Sequence, residues 1–334
     1  MKSKKTLRLE INKENLKLAG KIIRDGGLVA FPTETVYGLG ADALNPEAVA
    51  SIYEAKGRPS DNPLIIHVSS IEEVDAVAYI GGAEGAGGLA PEVVCALMDE
   101  FWPGPVTFIL NKREAVPHIT SGGLSTVGVR MPGNKVALDF ISAAAVPIAA
   151  PSANISGKPS PTTWQDVIED MDGRIDAVLM GEPCSVGIES TVLDLTGRTA
   201  TILRPGYITP VMIEKITPVK YDRALEQNPE DEDFKPMAPG MKYKHYAPRA
   251  KVRLVKEFSH AKEIKKTAEE AGNRVAILDY KKDSEAAAKD FFARLRELDR
   301  EEMDLILVIA LDNEELGYSV MNRMLKSAGF DIAD

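Results

Sequence analysis

The sequence predicts an α/β protein with two units, a large mixed twisted sheet followed by a small parallel one. Three observations carry that expectation. Short apolar runs alternate with amphipathic stretches over the first 220 or so residues, the pattern of strands and helices packed around one sheet. From Lys251 the alternation becomes a regular β-α-β-α-β-α series, which implies parallel strands with helical crossovers. Between the two, an acidic, proline-rich stretch follows neither pattern.

The elements can be justified in order. Residues 14–25 read as a helix that ends at Gly26-Gly27, and Leu28–Phe31 (LVAF) as a buried strand closed by Pro32. Leu64–Val68, Val106–Leu110, Thr126–Arg130, Ile148-Ala149, Ala177–Met180, Thr191–Leu195 and Thr201–Leu203 read as further strands. Helical periodicity marks 46–56, 136–145 and 163–171. The strands at 191–195 and 201–203 are close enough to form a hairpin, so the sheet is expected to be mixed. In the C-terminal part, strands are expected at 252–255, 275–278 and 305–311, and helices at 260–271, 284–298 and 314–327. The resulting division is 1–221, a linker over 222–250, and 251–334. The glycine-rich run 81–88 reads as a flexible surface insertion, and the acidic run 226–233 as solvated linker.

Composition narrows the function. The chain has 334 residues, 50 acidic and 40 basic, for a net charge of −10. An acidic chain is poorly suited to coating nucleic acid or anionic membrane. Residues 1–220 hold 20 basic and 26 acidic side chains, so this holds for the first unit too. Two cysteines, Cys95 and Cys184, form neither a disulfide framework nor a zinc spacing. The N-terminus lacks the apolar core of a secretory signal, and no run of about 18 apolar residues occurs, so a cytoplasmic location is expected.

Four segments carry chemistry. Pro32–Gly40 (PTETVYGLG) places hydroxyls and glycines at a strand end, where open α/β sheets bind ligands. Lys56-Gly57-Arg58 opens KGRPSDNPL, and two cations on one short loop suit a polyphosphate. Pro151–Gly157 (PSANISG) offers Ser152 and Asn154 on an irregular turn. Glu189–Val192 (ESTV) is followed by Arg204-Pro205-Gly206, which sets a third cation at a strand end. Each segment alone also fits an ordinary loop; His67 on the strand after KGRPSDNP also fits an ordinary core histidine.

In combination and order, these segments resemble the threonylcarbamoyl-AMP synthase family in its long two-domain form. The first unit is similar to the YrdC-type catalytic domain, through PTETVYGLG, KGRP with Asn62, the Ser152-x-Asn154 pair, and ESTVLDL followed by RPG. PGMKYKHYAP resembles the linker of the long members, and the tail their small Rossmann-like domain. The resemblance implies that L-threonine, bicarbonate or CO2 and ATP yield threonylcarbamoyl-adenylate and pyrophosphate. Other proteins would then transfer the threonylcarbamoyl group to tRNA beside the anticodon. It implies Mg2+ on the ATP phosphates, no dedicated metal ligands, no membrane association and no strong direct grip on tRNA.

By the same resemblance, Thr35, His67, Arg130, Ser152 and Ser190 lie at the threonine end. Arg58, Asn62, Thr126, Asn154, Thr162, Arg204 and, from the linker, Tyr243 lie around ATP, with Tyr246 able to exchange with Tyr243. Lys56 and Arg58 are expected to be catalytic, Lys56 by stabilising phosphate charge. The linker is expected to close over the nucleotide as a lid. The main rival is an RNA-binding YrdC-type module without catalysis. Others are a larger carbamoyltransferase, whose zinc-finger and acylphosphatase-like modules are not seen, and a regulatory nucleotide binder, which the intact K-x-R and S-x-N disfavour.

Overall fold

A computed structural model describes residues 5–81, 88–225 and 246–333. Residues 82–87 of the glycine-rich run, the acidic run, Tyr243 and most of the expected lid lie outside these residues.

The first unit contains β1 (Leu7–Glu10), α1 (Lys13–Arg24), β2 (Val29–Phe31), β3 (Gly38–Asp42), α2 (Pro46–Lys56) and β4 (Ile65–His67). Then come β5 (Ala78–Tyr79), α3 (Pro91–Phe101), β6 (Val106–Lys112), β7 (Thr126–Arg130), α4 (Lys135–Ala144) and β8 (Ile148–Ala149). It closes with α5 (Trp164–Met171), β9 (Ala177–Met180), β10 (Thr191–Asp194), β11 (Ala200–Arg204), α6 (Pro210–Ile213) and β12 (Val219–Tyr221). These strands form one twelve-stranded sheet in the order β1-β9-β2-β3-β8-β4-β7-β6-β10-β11-β12, with β5 paired to β6. Pairings of both senses occur, as in parallel β4–β7 and antiparallel β10–β11, so the sheet is mixed as the sequence predicts.

The second unit contains β13 (Lys251–Val255), α7 (Phe258–Glu270), β14 (Val275–Leu278), α8 (Ser284–Arg300), β15 (Leu305–Ile309), α9 (Glu315–Ser327) and β16 (Ile332–Ala333). Its four strands, in the order β14-β15-β13-β16, all pair in parallel. The sequence pattern marks none of β1, β3, β5, β12, β16, α3 and α6.

The largest departure is β3. The segment Gly38–Asp42 reads as part of a loop, because glycine is a poor strand former. It instead pairs antiparallel with β2, so 32–37 is a hairpin loop. The strand needs the small residue: a Cβ on Gly40 would lie 2.8 Å from the Ile148 side chain. One face of the sheet is covered by a core that includes Tyr37, Ile52, Leu64, Phe108 and Val129. Another core joins α1 and α4 to it through Ile23, Phe140 and Ile141.

The two units share apolar packing and buried charge. Val36 and Ile188 of the first unit belong to the same core as Tyr246, Phe291 and Phe292. Arg296 of α8 donates 2.8 Å to Asp170 of α5 and 2.7 Å to the Pro159 carbonyl. Arg300 pairs with Asp166 nearby.

Gly20 sits in α1 where the helix meets α4, and a Cβ there would lie 2.5 Å from the Ala143 carbonyl oxygen. Alanine ordinarily stabilises a helix interior by about 0.5–1 kcal/mol over glycine. Here the clash is with backbone that cannot yield cheaply. Gly20→Ala is expected to destabilise the protein by about 2 kcal/mol, measured by denaturant unfolding.

Candidate active site

The ends of several strands converge on one cleft of about 580 Å3, open solvent at its mouth included. Its wall includes Thr33, Thr35, Arg58, His67, Arg130, Ser152, Glu189, Ser190, Arg204 and Tyr246. Local rules explain how each segment gets there. In the β2–β3 loop, Thr33 Oγ1 accepts from the backbone N–H groups of Thr35 and Val36, making a compact hydroxyl turn. Asn45 caps α2, accepting from the N–H groups of Glu47 and Ala48. Gly57, at φ 61°, ends the helix in the left-handed conformation and so turns the chain at the K-x-R motif. Arg130 and His67 are cross-strand partners at the ends of β7 and β4.

Three arginines dominate the electrostatics. Arg58 is half-buried, donates 3.2 Å to the Pro63 carbonyl, and its Nε has no partner among the described residues. Burial pushes its pKa down to about 10, with the nearby Arg204 charge acting in the same direction, so it stays charged at neutral pH. Arg130 lies 2.8 Å from the Glu34 carboxylate, close enough to pair charges although not aligned as a hydrogen bond. Arg204 donates 3.0 Å to the Ser190 carbonyl and 3.1 Å to its hydroxyl, and burial lowers it to about 10. Ser190 Oγ in turn lies 2.8 Å from Thr107 Oγ1.

His67 is the contrasting group. Burial, then the Arg130 charge, pushes its imidazole down to about 3, so it is neutral at physiological pH. Its Nδ1 has no partner among the described residues, while its ring packs edge-on against Phe31. Tyr246 lines the cleft at φ 65°, an uncommon conformation for a bulky residue, with its ring 5.0 Å from Phe292. Burial, then the Glu189 charge, raises its phenol to about 12.

Seven of the expected residues therefore line one cleft: Thr35, Arg58, His67, Arg130, Ser152, Ser190 and Arg204. Others do not. Lys56 is 2% exposed and lies beneath the cleft, where its ammonium donates 2.5 Å to the carbonyls of both Ser152 and Asn154. Burial, then Arg58, lowers its pKa well below the usual lysine range. There it braces the S-x-N turn rather than forming part of the cleft wall. Asn154 spends its amide on the Ile155 and Lys158 carbonyls and accepts 2.6 Å from Ser152 Oγ, which fixes the same turn.

Asn62 is buried beside Arg58 with its Oδ1 unpartnered among the described residues. Thr162 is buried next to Cys184, whose N–H it accepts. Thr126 begins β7, about 13 Å along the strand from Arg130 at the usual strand rise. Glu34 and Glu189, the carboxylates that balance the arginines, were visible in PTETVYGLG and ESTV but had no assigned role. Among the described residues no group of three or more His, Cys, Asp or Glu is placed to hold a metal, and no helix is long and apolar enough to cross a membrane.

The buried neutral His67 makes stability depend on pH. Its unfolded-state pKa lies near 6.5 and its folded one near 3, so between these values the unfolded chain binds the extra proton. Stability from this group is complete above about pH 6.5 and falls as pH drops toward 3. Lowering pH from 6.5 to 5 is expected to remove about 2 kcal/mol through this group. Denaturant midpoints of His67→Gln should lose that part of the slope.

A family model described as "Telomere recombination", covering Sua5, YciO and YrdC proteins, matches residues 21–206. A second, described as "Threonylcarbamoyl-AMP synthase, C-terminal domain", matches 208–329. The threonylcarbamoyl-AMP synthase of Pyrococcus abyssi is 42% identical, with 98% of this chain and 97% of the relative covered. That of Bacillus subtilis is 40% identical, over 96% and 95%. The crystal structure of P. abyssi Sua5 complexed with L-threonine superposes with a TM-score of 0.88 at 41% identity, over 98% of both chains. Both sheets and nearly the whole length are shared: the chain belongs to the threonylcarbamoyl-AMP synthase family, in its two-domain form.

Proposed function

We propose that this cleft joins L-threonine, CO2 drawn from bicarbonate, and ATP into threonylcarbamoyl-adenylate with release of pyrophosphate. The observation that carries the reading is the meeting of Arg58, Arg130 and Arg204 with the uncharged His67 at one hydroxyl-lined cleft. The reaction brings together a carboxylate, a carbamate and a triphosphate, and positive charge fixed in advance is what such a combination needs.

The steps balance as follows. The neutral amine of threonine attacks the carbon of CO2, forming the N–C bond, and its proton leaves to solvent. A carbamate oxygen attacks the α-phosphorus of ATP in line. The bond from that phosphorus to the bridging oxygen breaks, and pyrophosphate departs. No covalent enzyme intermediate is required.

In this reading Arg130 receives the threonine carboxylate in place of Glu34. Thr35, His67, Ser152 and Ser190 surround the amino acid, and a neutral His67 adds no competing cation near the amine. Arg58 and Arg204 face the phosphates. Asn62, whose side-chain oxygen has no partner among the described residues, and Thr126, along β7, extend the nucleotide end, which suits a long ligand. Thr162, Asn154 and Lys56 support that end from below. Tyr246 is favoured over Tyr243 as the linker tyrosine because it forms part of the cleft wall. Glu34 and Glu189 each face an arginine, so Mg2+ is proposed to enter as the counter-ion of substrate ATP. A cytoplasmic setting and hand-over of the adenylate to separate tRNA-modifying proteins complete the proposal; the net charge of −10 supports hand-over rather than direct tRNA binding.

The test is formation of threonylcarbamoyl-adenylate from labelled threonine, bicarbonate and Mg-ATP. ATP breakdown that is independent of threonine would count against the proposal. Arg58→Ala is expected to lower kcat/KM by about 100-fold while leaving the fold intact. Lys56→Met should behave differently, losing activity together with about 2 kcal/mol of stability, because two buried carbonyls lose their donor.

A further inference from the structure

We infer that Arg323, on α9 of the second unit, is a positioning residue for the first unit's cleft, holding Ser190 and Arg204 in register from behind. The inference rests on the proposed role of the cleft but concerns a residue from outside its wall. Arg323 is 0% exposed, although it belongs to a helix of the small domain. Its Nε donates 3.2 Å to the carboxylate of Glu189, and its Nη1 donates to the carbonyl of Pro205. Those two residues flank the pair that matters. Glu189 immediately precedes Ser190, Pro205 immediately follows Arg204, and Arg204 is bonded to Ser190 through both Nε and Nη2. One guanidinium thus grips both strands of a hairpin at the point where they present Ser190 and Arg204 to the cleft.

Neighbouring contacts reinforce the grip. Ser319, one turn earlier on α9, donates 2.8 Å to the Gly206 carbonyl, and Ser160 donates 2.6 Å to the other oxygen of Glu189. Burial alone would raise the Glu189 carboxyl; the Arg323 and Arg204 charges outweigh it and hold the group below its ordinary range. Glu189 therefore stands as a carboxylate between two arginines, one from each domain. The planar fork of arginine suits this arrangement, since it meets a carboxylate and a carbonyl at once.

The test is a double-mutant cycle on the full-length chain, reading threonine- and bicarbonate-dependent pyrophosphate release at varied ATP. Arg323→Met is expected to raise the KM for ATP about tenfold with a smaller change in kcat, and Arg323→Lys to recover part of that loss. In an Arg204→Ala background the same Arg323 change should add less than about twofold. Arg300→Ala, which loosens the domain contact at Asp166 instead, should leave the KM for ATP near the wild-type value. The inference is overturned if Arg323→Met leaves that KM unchanged, if its penalty is the same with and without Arg204, or if Arg300→Ala reproduces it. Should Arg323→Met fail to fold, Arg323→Lys and Glu189→Gln carry the same cycle against Arg204→Ala, with the same outcomes deciding. Arg204→Ala having no effect on the KM for ATP would instead count against the role proposed for the cleft.

Discussion

Like charge concentrated in one buried place is the constraint around which this protein is built. Arg58, Arg130 and Arg204 share a cleft, and burial holds the Arg58 and Arg204 guanidiniums below their ordinary range. The surroundings answer residue by residue. Carbonyls of Asn62 and Pro63 receive Arg58, the Glu34 carboxylate lies against Arg130, and Ser190 takes two donors from Arg204. A site held this way is already oriented for anions, with little left to rearrange when they bind. The chemistry proposed for it brings three anionic groups together, so fixed cations are worth more there than a mobile nucleophile or base would be.

The same constraint explains why the small domain is more than an appendage. Its helix α8 delivers Arg296 to Asp170, which also accepts from the Ile155 N–H and from Lys158 on the loop that follows the S-x-N turn. Its helix α9 delivers Arg323 to Glu189 and Pro205. Two of the cleft-forming segments are therefore backed by cationic side chains from the second unit. Lys56 does a comparable job from within the first unit, beneath the turn that carries Ser152.

Much of this could be read from the sequence. Strands such as Thr126–Arg130 and helices such as 46–56 are plain from apolar periodicity alone. The resemblance then gathered Thr35, Arg58, His67, Arg130, Ser152, Ser190 and Arg204 into one site, and they do meet there. What stayed hidden depends on packing. The strand Gly38–Asp42 has the composition of a loop, and only its neighbours Phe31 and Ile148 require glycine. Lys56 and Arg58 stand together at the end of one helix in the sequence, yet the left-handed residue between them sends the two side chains to different partners. Arg323 lies 134 positions from Glu189, and no local signal announces such a pairing.

Arg296 and Arg323 also bear on how the molecule comes apart. Both are buried at the seam, facing Asp170 and Glu189, which are buried as well. Pulling the sheets apart while each stayed folded would strand ions whose partners had left, and losing one partner of a buried pair typically costs about 3–5 kcal/mol. The shared core of Val36, Ile188, Tyr246 and Phe292 would be wetted in the same event. The seam thus couples the two sheets energetically, so that each is held in place by the other despite the two-part architecture.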